Sequence, residues 1–177
     1  MDSNIGGEKM VNRQLSISVG AVDEAIKVIR EVAKWLIDIE KPLWKLEDIT
    51  KEKLLKDSKE EEFYVLKVDN EVAGAMILKW NDPFFWPNIK QGQSGFIHKL
   101  SVRRKYSGTG ISEKMIEHAA EECRRRNVDF LRLDCAGDRK ELCSFYEKIG
   151  FKQVRRKMMG PFDVAFYELN VYCRERI

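Results

Sequence analysis

Leu100-Ser101-Val102-Arg103-Arg104-Lys105-Tyr106-Ser107-Gly108-Thr109-Gly110-Ile111-Ser112 is the stretch from which the fold is read. It predicts a strand ending at Val102, a basic turn, two glycines one residue apart, and then a helix. That helix carries Ile111, Met115, Ala119 and Cys123 on one face. A helix that starts directly after such a turn leaves its first backbone N–H groups without intrahelical partners, at the positive end of its dipole. Phosphate or pyrophosphate suits that position. Gly108 and Gly110 leave room for a close ligand and accept positive φ at little cost. What is missing narrows the reading. Position 113 is Glu, so the third glycine of a dinucleotide-binding fingerprint is absent, and the turn follows a late strand. No P-loop run occurs either. For the Gly-x-Gly alone, a plain strand-to-helix turn is the competing reading.

Further along, Phe145-Tyr146-Glu147-Lys148-Ile149-Gly150-Phe151 closes a short amphipathic helix, with Leu142, Phe145, Tyr146 and Ile149 at helical spacing. Gly150 stands where a helix C-cap favours positive φ. Together with Leu100-x-Val102, Gly108-x-Gly110 and Leu131-x-Leu133-Asp134-Cys135, this segment resembles the GNAT superfamily of N-acetyltransferases, from roughly Gly95 to Tyr172. The resemblance implies a mixed α/β fold (α+β-like). Its central sheet would be mostly antiparallel and flanked by helices, with the strands Gly95–Val102 and Phe130–Cys135 splayed apart to admit acyl-CoA.

The same resemblance implies acetyl-CoA as donor and a primary amine, of a small molecule or an amino terminus, as acceptor. Transfer would be direct, in a ternary complex. Leu100, Ser101 and Val102 would line the pantetheine arm, and Ser107, Gly108, Thr109, Gly110, Ile111 and Ser112 would cradle the pyrophosphate. Arg103, Arg104 and Lys105 would meet the nucleotide phosphates. Two positions depart from the family pattern: Ser107 replaces its leading Arg or Gln, and Arg139 stands where an Asn is common. Tyr146 falls at the general-acid position, where a phenol can protonate or stabilise a departing thiolate. The competing reading of Tyr146 is a core aromatic. His98 and Asp134 are the candidate bases, because imidazole ordinarily titrates near neutrality and a carboxylate can act through water. Trp35, Trp44, Trp80 and Trp86 would wall the acceptor site, with Asp38 attracting a cationic amine. The aromatic loop Phe84-Phe85-Trp86 would serve equally well in the core or in a dimer interface. Two other functions fit the same chain: an acyl-CoA sensor without turnover, or an interaction module using that loop.

The remaining sequence is consistent with one acyltransferase domain over residues 12–177, behind a polar, glycine-containing start at residues 1–11 that reads as mobile. Leu15, Ile17 and Val19 alternate as a first strand, and Val22 opens a long helix with two adjacent apolar stripes. A short helix is predicted from Thr50 to Lys56. A hairpin follows, of Phe63–Val68 and Val72–Trp80 across Asp69-Asn70. Residues 81–94 read as a loop, and Phe151–Arg156 with Val164–Tyr172 as a closing antiparallel pair. The 177 residues are 44% hydrophobic and 34% charged, ordinary for a globule, and a net charge of +3 does not call for nucleic acid. The four cysteines have neither metal-ligand nor disulfide spacing, so no metal is expected and a reducing, cytoplasmic setting is. No long apolar run suggests a membrane, and a homodimer is left open.

Overall fold

Alternating side chains make the first described element a strand. In the computed structural model, which describes residues 13–173, β1 (Leu15–Val19) pairs antiparallel with β2 (Phe63–Val68), from Leu15↔Val68 to Val19↔Tyr64. The polar start at residues 1–11 lies outside the described residues. Helix α1 (Val22–Asp38) buries Val22, Ala25, Val28, Ile29 and Ala33, at the i, i+3, i+4 and i+7 spacing that places them on one face. Its first turn holds Asp23 and Glu24, the charge sign the dipole favours there. Helix α2 (Lys51–Asp57) is capped by Thr50, with the Lys53 N–H donating to Thr50 Oγ1 at 3.2 Å. Asp69 and Asn70, with φ of 50° and 67°, make the two-residue turn that joins β2 to β3 (Glu71–Lys79).

Strand β4 (Gly95–Val102), helix α3 (Ile111–Arg125), strand β5 (Phe130–Ala136) and helix α4 (Lys140–Ile149) follow in order. Gly150 ends α4 at φ 111°, as a left-handed C-cap should. The closing hairpin is longer than the sequence suggests, with β6 (Lys152–Met159) and β7 (Phe162–Asn170) turning near Gly160. Lys157, Met158 and Met159 continue the ladder opposite Val164, Asp163 and Phe162. Lys157 and Met158 are exposed and Met159 is only partly buried, so the three give no alternating burial signal, whereas backbone pairing needs none. Among the described residues, seven strands hydrogen-bond in the order β1-β2-β3-β4-β5-β7-β6, with β4–β5 parallel.

The contacts divide into two compact units. The first holds the described residues up to Ile77 together with Lys99–Met115. Its core joins the buried face of α1 to Ile49, Leu54, Phe63, Val65, Ala75 and Ile77. The second holds Leu78–His98 and the described residues from Ile116. There Trp86, Phe96, Val164 and Phe166 cluster, with Phe85, Ile89 and Met159 packed against them.

Gly95 is fixed by packing in the second unit. A Cβ at this position would lie 2.6 Å from Cys123 Sγ and 3.4 Å from Leu131 Cδ1 and Leu78 Cδ1. Gly95→Val is therefore expected to destabilise the protein by about 1–3 kcal/mol through overpacking. Urea unfolding reads this as a lower midpoint at unchanged m-value, and a midpoint equal to wild type would refute it.

Candidate active site

The glycine turn is built within the first unit. After β4 the chain makes a short 3₁₀ turn over Arg104–Tyr106, with the Tyr106 N–H donating to Arg103 O at 2.8 Å. Thr109 Oγ1 donates to Tyr106 O at 2.6 Å and so ties the turn to itself. Gly108 and Gly110 have φ of 72° and 81°, values that a side chain would strain. A Cβ added at either would meet nothing within 4 Å, so both glycines border open space. The Lys114 N–H donates to Gly110 O at 3.1 Å and begins the α3 ladder. The amides of the first turn of α3 therefore have no intrahelical acceptor. The turn thus has the shape and polarity that a pyrophosphate needs.

Its basic residues are less available than the sequence suggests. Arg103 Nε lies 3.0 Å from Glu31 Oε2, and its Nη1 donates to Val72 O at 3.1 Å. Lys105 Nζ is paired with Glu71 Oε1, and the Tyr106 hydroxyl donates to Glu71 Oε2 at 3.1 Å. With Lys105 as its main partner, the Glu71 carboxyl sits below its ordinary range. Arg104 stacks its guanidinium 3.9 Å from the ring centre of Trp35 and donates to Ser107 Oγ at 3.2 Å. Of the three, Arg104 alone has an arrangement that holds a guanidinium beside the turn without a carboxylate.

Strand β4 carries an irregularity at Lys99, whose φ of 51° is left-handed for a residue with a side chain. Lys99 O accepts from Ser101 Oγ at 3.0 Å, and Lys99 Nζ lies 5.0 Å from the ring centre of Trp44. The registered pairs between β4 and β5 are Gly95↔Leu131 and Phe96↔Arg132. Leu100, Ser101 and Val102 lie beyond that short ladder.

Tyr146 sits on α4 in the second unit, 8% exposed. Its ring meets Phe145, Phe151 and Tyr167 at centroid distances of 5.2, 5.8 and 6.2 Å. Burial pushes its phenol well above the ordinary range, with added contributions from Cys135, Asp134 and Cys143. The group is therefore a neutral donor. Cys135 Sγ lies 4.0 Å from Cys143 Sγ. Burial first, and then Cys143 and Asp134, push the Cys135 thiol far up, which removes the thiolate that an acyl-enzyme route would need. Arg139 is the N-cap of α4, and its carbonyl accepts from the Cys143 N–H at 3.0 Å.

The two base candidates meet in this unit. The side chains of His98 on β4 and Asp134 on β5 converge with that of Asp82, in the loop after β3, and one ligand-type atom from each lies within 4.8 Å of the others. His98 Nε2 is 3.1 Å from Asp82 Oδ2. Asp82 Oδ1 accepts from the Phe85 N–H at 3.2 Å. Burial would push the Asp82 carboxyl up, but His98 and the Phe85 amide overcome this and hold it below its ordinary range. Asp82 is the residue the sequence reading missed. Its signal was faint: an Asp before Pro83 in a loop usually marks a turn, which it also makes here.

The acceptor set divides between the units. Trp35, Trp44 and Asp38 belong to the first and Trp80 and Trp86 to the second. Asp38 is exposed at the end of α1. Trp80 is stacked by Arg126, whose guanidinium carbon lies 4.1 Å from its ring centre. Trp86 is only 7% exposed and lies 5.3 Å from Phe166 and 6.2 Å from Phe96, the packing that the core reading of the aromatic loop expects. Of the aromatic loop, Phe84 stays outside, 72% exposed.

Residues 29–151 match the acetyltransferase (GNAT) family. The uncharacterized N-acetyltransferase YesJ of Bacillus subtilis is 29% identical over 111 residues, 60% of this chain and 58% of that protein. The chain thus spans just over half the length of this relative. Among solved structures, a GNAT-family acetyltransferase of Listeria monocytogenes superposes with a TM-score of 0.69 at 21% identity, covering 90% of this chain and 99% of the other. PaiA N-acetyltransferase of Thermoplasma acidophilum, solved in complex with coenzyme A, gives 0.65 at 19% identity, covering 89% and 99%. At such identities the superpositions establish the fold. Among the described residues, no helix is long and apolar enough to cross a membrane.

Proposed function

We propose, from the premise that this chain belongs to the acetyltransferase (GNAT) family, that it transfers an acetyl group from acetyl-CoA to a primary amine of a small molecule or an amino terminus. The observation that carries this reading is the turn at Gly108 and Gly110. Both are left-handed, both border open space, and both precede a helix N-terminus. The coenzyme A bound to PaiA N-acetyltransferase, a protein of the same fold, supports the choice of donor.

Bound acetyl-CoA supplies an acyl thioester. The amides of residues 108–112 hold its pyrophosphate, and Arg104, fixed against Trp35, reaches the nucleotide phosphates. Leu100, Ser101 and Val102, which lie beyond the β4–β5 ladder, offer backbone groups to the pantetheine arm and an amide to the developing oxyanion. His98, held 3.1 Å from Asp82 and close to Asp134, takes in its neutral form the proton that the attacking amine must lose. The new C–N bond forms as the C–S bond breaks, and Tyr146 donates its hydroxyl proton in a hydrogen bond to the departing sulfur. Its raised affinity for that proton makes full transfer uphill, since a thiol ordinarily titrates near ~8.5. The role is stabilisation of the thiolate.

Calorimetric titration with acetyl-CoA, followed by a panel of amines with release of CoA as the readout, tests the proposal. Micromolar binding and amine-dependent release are expected. Binding without release from any amine would favour the sensor reading. Absence of binding by folded protein would refute the nucleotide site. Arg104→Ala should narrow the preference for acetyl-CoA over its 3′-dephospho form, and an unchanged preference would remove Arg104 from the site.

A further inference from the structure

The geometry points to a second ligand of a different kind: we propose that Asp82, His98 and Asp134 form a site for a first-row divalent transition cation, Zn²⁺ foremost, which switches transfer off by capturing His98. Asp82 Oδ2 and His98 Nε2 lie 3.1 Å apart. Even so, neither atom makes a hydrogen bond of acceptable angle, and both are shut off from solvent. A hydrogen bond would align the N–H with the carboxylate. Two lone pairs aimed at a shared third atom would leave the distance and lose that alignment. Ligands around a tetrahedral Zn²⁺ with bonds of about 2.0–2.2 Å are themselves about 3.3–3.6 Å apart, so the pair would have to open by only a few tenths of an ångström to hold the ion. An Asp134 carboxylate oxygen lies within 4.8 Å of both atoms.

Charge argues the same way. Two carboxylates and an imidazole form this group, and the Asp82 side chain is only 5% exposed. A cluster so placed needs positive charge, and a dication supplies it without asking the imidazole to hold a proton. The donor set selects the metal class. One imidazole nitrogen among so few protein oxygens suits Zn²⁺ or Co²⁺, whereas Mg²⁺ and Ca²⁺ prefer all-oxygen shells with more ligands. Three protein ligands leave a coordination position open. The Phe85 N–H on Asp82 Oδ1 orients that carboxylate from outside, as the supporting hydrogen bonds of metal ligands do.

Binding is independent of catalysis, while its inhibitory effect rests on the assignment of His98 as base under Proposed function. The test titrates chelator-treated, tag-free protein with ZnCl₂ by calorimetry and with Co²⁺ by visible absorption, then measures CoA release. One-to-one micromolar binding is expected, weakened by about 10- to 100-fold or more in Asp82→Asn and in His98→Gln. Should Asp82→Asn fail to fold by circular dichroism, Asp134→Asn gives the same reading. No saturable binding below millimolar metal overturns the proposal. So does equal affinity in the variants, or an intense sulfur-to-cobalt charge-transfer band, which would place the metal on Cys135 and Cys143 instead. Loss of turnover with Zn²⁺, restored by EDTA, supports the switch. Binding that leaves turnover untouched supports the metal site and removes His98 from the role of base.

Discussion

Replacing Tyr146 with Phe lowers kcat for acetyl transfer by about 100-fold and leaves KM for acetyl-CoA nearly unchanged, the signature of an interaction made in the transition state alone. The change deletes one hydroxyl. The ring keeps its edge-on contacts with Phe145 and Phe151 and its tilted contact with Tyr167, so a general loss of structure is not expected. Burial and the neighbouring Cys135, Asp134 and Cys143 favour the neutral phenol. A phenol ordinarily loses its proton near ~10, and one whose affinity for the proton is raised keeps it beyond that point. Wild-type kcat should therefore show no alkaline loss from Tyr146 up to about pH 10. Coupling CoA release to a thiol-reactive dye gives kcat, and a urea melt of the variant checks its fold. A variant that retains kcat within about twofold, with unchanged stability, would make Tyr146 a core aromatic and leave the departing sulfur without its donor.

Gly110→Glu is the second large effect, with affinity for acetyl-CoA expected to fall by at least about 100-fold. Two contributions add. A side chain at φ 81° costs roughly 1–2 kcal/mol of backbone strain, which either disturbs the turn or is relieved by moving it. The carboxylate then stands in the open space where the pyrophosphate would lie, at the positive end of α3, and takes up the dipole that the ligand would use. Gly110→Gln separates the two, since it carries the same strain without the charge. Binding that weakens far more in the Glu variant than in the Gln variant identifies an anion site. Equal losses would reduce the turn to a conformational requirement. Wild-type affinity in the Glu variant would move the nucleotide elsewhere.

Much of this architecture follows from local rules. Thr50 caps α2, Asp69-Asn70 turns a hairpin, and Gly150 ends α4 with positive φ, each decided by a few neighbouring residues. The spacing of apolar residues likewise fixes which face of α1 is buried. Where no local rule operates the sequence reading fell short. It ended β6 at Arg156, because Lys157-Met158-Met159 lacks the polar–apolar alternation of a strand while their backbones continue to pair with β7. It left the aromatic loop between cleft, core and interface, and only the packing shows Phe96 and Phe166 against Trp86.

The site divides along the same line. The sequence alone determined the glycine turn, its left-handed conformations and the helix behind it, because the sign of φ and the orphaned amides belong to a single short segment. It also marked Tyr146, His98 and Asp134 as residues able to move or hold a proton. Only the tertiary structure decided what each one faces. Arg103 and Lys105 are drawn into ion pairs with Glu31 and Glu71, Arg104 is laid on Trp35, and Asp82 is brought to His98 and Asp134. These partners are far apart along the chain. Their meeting depends on how strands and helices pack, and neither residue type nor spacing encodes that by itself.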